Sequence, residues 1–164
     1  MTVTTDFLER LAIVERRLAD HAKDGAASGL TDPDTKTGEQ WEAGQVWAHL
    51  AEFLPFWIAQ ARNVLSAWTG PDPIPFGRIK TDTARVAAIE SDRTTAVSDL
   101  HGRLTDGIAT TRDFISSVPD TAWTKVLGVH QALGVMTLTK IVDEFMVGHL
   151  EEHADQLDVL TNRD

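Results

Sequence analysis

Three histidines are the residues of this chain whose type and spacing best suit chemistry. His49 lies in one strongly apolar stretch, and His149 and His153 lie four positions apart in another. Residues four apart on a helix stand one turn above each other, with Cβ atoms about 5–6 Å apart, so both imidazoles can reach one ion. Burying an imidazole without a partner costs about 1–3 kcal/mol. We therefore expect three imidazoles on inward faces to share a bound cation.

The spacing of the apolar residues turns all three rings towards the core. His49 falls on the same side of its helix as the apolar residues Val46 and Phe53. The row that contains His149 and His153 also contains Ile141, Phe145 and Leu157. The sequence thus predicts a divalent metal bound by three neutral nitrogens, and zinc or nickel suits such a set. Three protein ligands leave coordination positions open, as in catalytic zinc sites.

The elements that must position these histidines are helices. Apolar residues recur at helical spacing almost throughout, and no stretch shows the sustained alternation of a strand. The sequence predicts an all-α fold, a four-helix bundle formed as a single domain by residues 1–164. The predicted helices cover residues 6–23, 42–68, 82–117 and 137–160. A loop covers residues 25–38, a proline-rich extended crossover between the second and third helices covers 69–78, and an irregular link covers 120–136.

Four further residues are candidates for the wall of a pocket. Tryptophans pack by default in the core and at helix ends, but Trp57 and Trp123 are also placed to flank a pocket. His130 lies in the irregular link, where it either lines a pocket mouth or caps a turn, and we favour the turn. Glu152 is expected to form a salt bridge or to support a metal ligand. No catalytic residue is assigned.

Residues 149–153 also fit the His-x-x-Glu-His pattern of inverted zinc proteases, with Glu152 as the general base. That class of protease takes its third ligand from a glutamate far downstream, and residues 154–164 contain no glutamate. The ordinary His-Glu-x-x-His arrangement is absent because Leu150 occupies its second position. Protease chemistry is therefore not favoured.

Composition and charge limit which partners and which cellular location we expect for this chain. A formal net charge of -10 leaves no basic stripe for phosphate contacts, so we expect neither nucleic acid nor an anionic membrane surface as a partner. The first residues lack the basic and apolar parts of a signal peptide, and no apolar run is long enough to span a bilayer, which predicts a cytoplasmic protein. The chain contains no cysteine, so any thiol in its chemistry must come from outside.

Three segments, residues 41–52, 75–78 and 145–157, resemble the DinB-like family, which includes the N-terminal domains of mycothiol-dependent maleylpyruvate isomerases and related thiol transferases. The likeness spans nearly the whole chain. It implies a four-helix bundle with a divalent metal held by three side chains, one from the second helix and two from the last. These ligands map onto His49, His149 and His153. Some members have glutamate where this chain has His149.

The resemblance implies a metal-dependent enzyme, a thiol S-transferase or isomerase. The metal would lower the pKa of a low-molecular-weight thiol such as mycothiol, bacillithiol or glutathione, and the thiolate would attack an electrophile. The expected partners are that small-molecule thiol and the electrophile, and a homodimer is compatible with the sequence. A metal-dependent hydrolase would use the same ligands. The alternative from another class is a non-catalytic bundle that binds a metal or a small molecule.

Overall fold

The computed structural model describes residues 1–162 and confirms the predicted all-α bundle. The helices are α1 (Val3–Asp24), α2 (Ala43–Ala67), α3 (Thr83–Asp92), α4 (Val97–Ser117), α5 (Ala122–Lys125), α6 (Leu138–Val142) and α7 (Gly148–Thr161). A π-helical segment, Asp143–Val147, joins α6 to α7. In the bundle α1 packs against α4 and α7, and α2 packs against the same two helices. The two helices that carry the three histidines, α2 and α7, are therefore neighbours.

Apolar stripes explain why α1 and α2 form and how they are buried. The buried residues of α1 are Phe7, Leu11, Val14 and Leu18, at steps of three or four. α2 begins with a capping box, in which the backbone N–H of Glu42 donates to Oε1 of Gln45 at 3.0 Å. α2 continues through Pro55, and its mainly apolar sequence is buried along most of its length. This burial brings His49 into the core.

The predicted third helix, residues 82–117, is wrong as one element, because the chain breaks it into α3 and α4. A turn closes α3 where the Thr95 N–H donates to the Asp92 carbonyl oxygen at 2.9 Å. Two adjacent β-branched residues, Thr94 and Thr95, favour the break because they have low helix propensity. After the break, α3 does not continue along the axis of α4, and Val86 of α3 is 51% exposed.

Three short strands correct the expectation of a chain without sheet structure. They are β1 (Ile74–Phe76), β2 (Leu127–His130) and β3 (Gly134–Thr137), in the order β1-β2-β3. β1 lies in the predicted crossover and pairs in parallel with β2, which pairs antiparallel with β3. The predicted irregular link is therefore α5 followed by a hairpin. Strands of three or four residues contain too few positions for alternation to be seen in sequence.

The π-helical segment ends just before the paired histidines. Gly148 follows it, and a Cβ atom at that position would lie 2.6 Å from the carbonyl oxygen of Asp143. The segment thus depends on the missing side chain of Gly148. π-helical turns within α-helices are frequent at functional sites. Here the turn precedes His149 by one residue.

Ion pairs attach α1 to the last helix. Arg10 donates to Glu151 through Nε at 3.0 Å and Nη2 at 2.6 Å, and to Asp143 at 2.8 Å. Nε2 of His21 lies 2.6 Å from a carboxylate oxygen of Asp158, so this ring nitrogen has a hydrogen-bond partner on the last helix.

Within residues 1–162, no helix has both the length and the apolar character needed to cross a membrane.

Candidate metal centre

The Nε2 atoms of His49, His149 and His153 meet between α2 and α7. Nε2 of His149 lies 3.0 Å from Nε2 of His49 and 3.1 Å from Nε2 of His153. One ring nitrogen from each residue lies within 4.8 Å of the others, so the three residues could hold a metal ion. His49 and His153 are buried, whereas 27% of the His149 side chain is exposed.

The Nδ1 atom of each histidine faces an acceptor three residues later on the same helix. Nδ1 of His49 donates to Oε1 of Glu52 at 2.8 Å, and Nδ1 of His153 donates to Oε1 of Gln156 at 2.7 Å. The side chain of Glu152 lies on the same side of His149, with Oε2 at 3.3 Å from Nδ1. Because a neutral imidazole carries one proton, a ring that donates from Nδ1 has an unprotonated Nε2.

The electrostatics of the cluster fit a divalent ion. Burial lowers the pKa of His49 and of His153 well below the ordinary histidine value, and the neighbouring imidazoles lower it further. Both rings are therefore neutral at neutral pH. Their Nε2 atoms lie 3.0 and 3.1 Å from Nε2 of His149, so three imidazole nitrogens face one small volume. Neutral imidazole nitrogens are ligands for zinc, nickel and related ions, so this donor set fits a metal.

A buried ion pair stands behind His49. Nη2 of Arg78 donates to both carboxylate oxygens of Glu52, at 2.7 and 2.6 Å. The two side chains are 9% and 8% exposed, and the guanidinium carbon lies 4.2 Å from the centre of the Phe56 ring. Burial raises the pKa of Glu52, and Arg78 opposes that shift. A carboxylate held in this way orients the imidazole and increases its basicity as a ligand.

Two aromatic rings pack directly on the histidines. The Trp41 ring lies parallel to His153, with centroids 6.2 Å apart, and meets His49 edge-on at 5.4 Å. The Phe53 ring centre lies 5.1 Å from that of His149 and 5.2 Å from that of His49. These rings cover the cluster with apolar surface and exclude water from part of its surroundings.

The segment between α1 and α2 contains the predicted loop, residues 25–38, and carries Trp41 to the site. It is held by two hydrogen bonds between Thr31 and Trp41, one from the Thr31 N–H to the Trp41 carbonyl oxygen at 2.8 Å and one from the Trp41 N–H to Thr31 Oγ1 at 2.9 Å. Thr31 is itself buried. The loop is thus an ordered cover over one side of the histidines.

A cavity of about 740 Å³ opens onto the three histidines. Trp57, His130 and Glu152, three of the candidate pocket residues, lie in its wall. Phe145 stacks on Trp57 with ring centres 4.1 Å apart, and His130 lies 5.2 Å from Phe145. These three rings form an aromatic wall of the cavity that the histidine cluster shares.

Trp123, the remaining candidate, lies elsewhere in the bundle. Its ring packs on Phe7 of α1 with centroids 5.5 Å apart, and its indole N–H donates to Thr4 Oγ1 at 2.9 Å. The residue is buried and does not belong to the cavity wall. Its large apolar ring joins α5 to α1, which is the core role that tryptophans take by default.

His130 combines the two roles considered for it. Its Nδ1 accepts the N–H of Ala132 at 3.2 Å, which caps the hairpin turn, and its Nε2 donates to the Arg78 carbonyl oxygen at 3.0 Å. The same ring lines the cavity. Gly77 makes room for it, because a Cβ atom there would lie 2.4 Å from Cδ2 of His130, and its φ of 94° also favours glycine.

Sequence reasoning did not identify the acceptors behind His49 and His153. A signal for them exists in the chain, because each histidine of the cluster is followed three positions later by a glutamate or glutamine. The acceptors are Glu52, Glu152 and Gln156. Residues three apart on a helix are neighbours, so this spacing could have indicated them. Arg78 has no comparable signal, because it reaches Glu52 from the crossover.

No family model matches the sequence, and no curated protein matches it. Several solved structures match the fold. An uncharacterised protein from Escherichia coli UTI89 has a TM-score of 0.68 and 10% identity, covering 98% of this chain and 93% of that chain. The colibactin self-resistance protein ClbS, in complex with a dsDNA, has a TM-score of 0.66 and 11% identity, covering 97% and 95%.

The mycothiol-dependent maleylpyruvate isomerase is a third structural neighbour. It has a TM-score of 0.62 and 13% identity, and the match covers 96% of this chain and 63% of the isomerase. This chain therefore spans less than two thirds of the isomerase's length. A likeness at this level of identity shows a common fold.

The exclusion of nucleic acid as a partner is wrong as an inference from net charge. ClbS, whose structure matches this chain, is crystallised with dsDNA. The net charge is a sum over all charged residues of the chain. Contacts with phosphates depend instead on the hydrogen-bond donors and cations of one local face. The net charge of -10 therefore excludes no such partner for a chain of this fold. What the comparisons show is that this chain has the bundle fold of ClbS and of the mycothiol-dependent maleylpyruvate isomerase.

Proposed function

We propose that the chain is a metal-dependent enzyme that uses a low-molecular-weight thiol as an S-transferase or isomerase. His49, His149 and His153 would hold the ion, with zinc or nickel as the metal. The observation that carries the proposal is the convergence of three Nε2 atoms at 3.0 and 3.1 Å, with an acceptor facing each Nδ1. Three imidazole nitrogens arranged in this way fit one cation.

A bound divalent ion would supply Lewis acidity, which lowers the pKa of a coordinating thiol towards neutral pH. The protein contributes orientation, because Glu52 and Gln156 hold the imidazoles of His49 and His153 in one tautomer. Trp41 and Phe53 shield the cluster from water. The cavity of about 740 Å³ lies within the usual range of small-molecule sites and has room for a thiol and a second reactant.

One observation favours a thiol over water as the activated group, and the composition is compatible with it. The chain has no cysteine, so no thiol of its own competes for the metal. The structural neighbours include a mycothiol-dependent isomerase. A hydrolase that activates water at the same histidines is the variant of this proposal, and a non-catalytic metal-binding bundle is the alternative from a different class.

The metal is tested first, on protein purified without a polyhistidine tag. Elemental analysis and calorimetric titration with zinc and nickel should give one ion per chain. His49→Ala should abolish that binding, whereas His21→Ala, which changes a histidine paired with Asp158 outside the cluster, should preserve it. Equal metal binding by wild-type protein and His49→Ala would overturn the proposed ligand set.

The reaction is tested with metal-loaded protein, a panel of thiols and a generic electrophile. Thiol transfer that requires mycothiol, bacillithiol or glutathione and disappears in His49→Ala but not in His21→Ala supports the transferase. Hydrolysis without any thiol supports the hydrolase variant. Stoichiometric metal with neither activity supports the non-catalytic bundle.

Double-stranded DNA is a second candidate ligand, favoured by the DNA complex of ClbS. A gel-shift titration of dsDNA with wild-type protein tests it at low salt, with the salt dependence measured because phosphate contacts release counterions. Binding that is lost at moderate salt and unaffected by His49→Ala would place DNA on a surface separate from the histidines. No shift at low salt would remove this candidate.

A further inference from the structure

Within residues 1–162, no carboxylate contacts the guanidinium of Arg85, a cation in the cavity wall. In this part of the chain its side chain makes one hydrogen bond, from Nη1 to the Lys80 carbonyl oxygen at 2.8 Å. Its guanidinium carbon lies 5.4 Å from the centre of the Trp41 ring, which itself packs on His49 and His153. The residue is half-buried and shares the cavity with the three histidines.

The acidic residues whose charges raise the pKa of Arg85 accept hydrogen bonds from other groups. Glu52 accepts from Arg78 and His49. Glu39 accepts the indole N–H of Trp41 at 2.8 Å, and Asp82 accepts the backbone N–H of Arg85 at 2.9 Å as the cap of α3. None of the ion pairs formed within residues 1–162 includes the Arg85 guanidinium. The Arg85 side chain is thus held in place, and it keeps N–H donors that no acceptor within residues 1–162 contacts.

Other arginines of the chain differ in this respect. The pKa of Arg10, Arg17 and Arg93 is raised mainly by the hydrogen bonds that their guanidinium groups donate to carboxylates. Burial lowers the pKa of Arg85, and the nearby acids only partly oppose it. An arginine that loses water without gaining a carboxylate contact favours an anion brought in by a ligand.

We propose that Arg85 binds the anionic group of the small molecule that occupies the cavity, a carboxylate or a phosphate. The planar guanidinium presents paired donors that match the two oxygens of either group. The aromatic wall of Trp57, Phe145 and His130 would then contact an apolar or flat part of the same molecule. This inference rests on the proposed function for the metal, and it adds the chemical class of the substrate.

The experiment uses benzoate and phenyl phosphate as anionic probes and benzyl alcohol as the neutral probe of similar shape. Binding is followed by tryptophan fluorescence, because Trp41 and Trp57 lie in the cavity wall. The proteins are wild type, Arg85→Ala, and Arg62→Ala, which removes an exposed arginine outside the cavity. Each is measured with zinc and again in a His49→Ala background, so a failure of the metal proposal does not affect the anion measurement.

We expect Arg85→Ala to weaken binding of one or both anions by at least about tenfold, the loss typical of a charge-assisted hydrogen bond. Arg62→Ala should leave anion binding unchanged, and benzyl alcohol should bind wild type and Arg85→Ala alike. The stronger of the two anions identifies carboxylate or phosphate as the recognised group. Circular dichroism checks folding, and Arg85→Gln, which keeps a donor for the Lys80 carbonyl, replaces Arg85→Ala if the latter does not fold.

Three results would overturn the inference. The first is no saturable binding of either anion to wild-type protein. The second is equal anion affinity in wild type and Arg85→Ala. The third is an equal loss of anion and benzyl alcohol binding in Arg85→Ala, which would indicate a disturbed cavity rather than a lost charge contact.

Discussion

Arg78 holds both carboxylate oxygens of Glu52, at 2.7 and 2.6 Å, while the same carboxylate accepts the Nδ1–H of His49. The crossover before α3 is thereby connected to the histidine cluster through one buried acid. Substitutions at Glu52 and Arg78 can therefore separate two roles of this carboxylate, pairing with the buried guanidinium and orienting the imidazole of His49.

Glu52→Gln should be strongly destabilising. It keeps an oxygen acceptor for His49 but leaves the buried guanidinium of Arg78 without a counterion, which costs about 3–5 kcal/mol. Weaker support of the imidazole should also lower metal affinity by about 10–100-fold. Urea unfolding and metal titration measure the two effects.

The matched control is Glu152→Gln, because Glu152 also faces an Nδ1 atom but its side chain is 74% exposed. Its substitution should change the free energy of unfolding by less than about 0.5 kcal/mol. Adding Arg78→Met to Glu52→Gln should restore part of the lost stability, since the unpaired charge is then removed. Equal destabilisation by Glu52→Gln and Glu152→Gln would contradict this account.

His153→Leu should abolish metal binding and leave the bundle folded. His153 is buried and packs against the rings of Trp41 and Phe53, which a leucine side chain can also contact. The helical circular dichroism of the variant should match that of the wild type, and calorimetry should detect no bound zinc. Loss of the helical signal would mean instead that the metal is needed for folding.

Gly148→Ala and Gly102→Ala should have opposite effects on the free energy of unfolding. A Cβ at Gly148 would meet the Asp143 carbonyl oxygen at 2.6 Å, whereas a Cβ at Gly102 in α4 would meet nothing within 4 Å. Gly148→Ala should destabilise by about 1–3 kcal/mol, and Gly102→Ala should stabilise by up to about 1 kcal/mol. Thermal unfolding of both variants tests this; stabilisation by Gly148→Ala would show that the π-helical segment relaxes freely.

Acid should destabilise the metal-free protein. Burial lowers the pKa of His49 and His153 in the folded state, while in the unfolded chain it is about 6.5. The contribution of these two neutral imidazoles to the free energy of unfolding is fully present above about pH 6.5. Below that pH the unfolded state binds more protons, so the free energy of unfolding falls until the folded-state pKa values are reached.

Urea unfolding between about pH 5 and pH 8 measures this slope. His153→Leu should show a shallower dependence because one of the two titrating imidazoles is gone. A wild-type protein that becomes more stable as the pH falls from about 7 to 5 would have the wrong sign for this mechanism.

The helical spacing of apolar residues predicted the bundle and the inward direction of His49, His149 and His153. This worked because a period of 3.6 residues decides which side chains share a face, and that information is local. The split of residues 82–117 and the strands escaped the same reasoning, since short elements carry little periodic signal.

Local sequence patterns were enough to predict the all-α class and the histidines that could meet. They could not show that Arg78 reaches Glu52, that Trp41 lies over His153, or that Trp123 packs on α1 away from the cavity. These contacts join residues on different elements, and their geometry depends on how helices and crossover pack together. Side chains far apart in the chain find their partners through that packing, which no local pattern records.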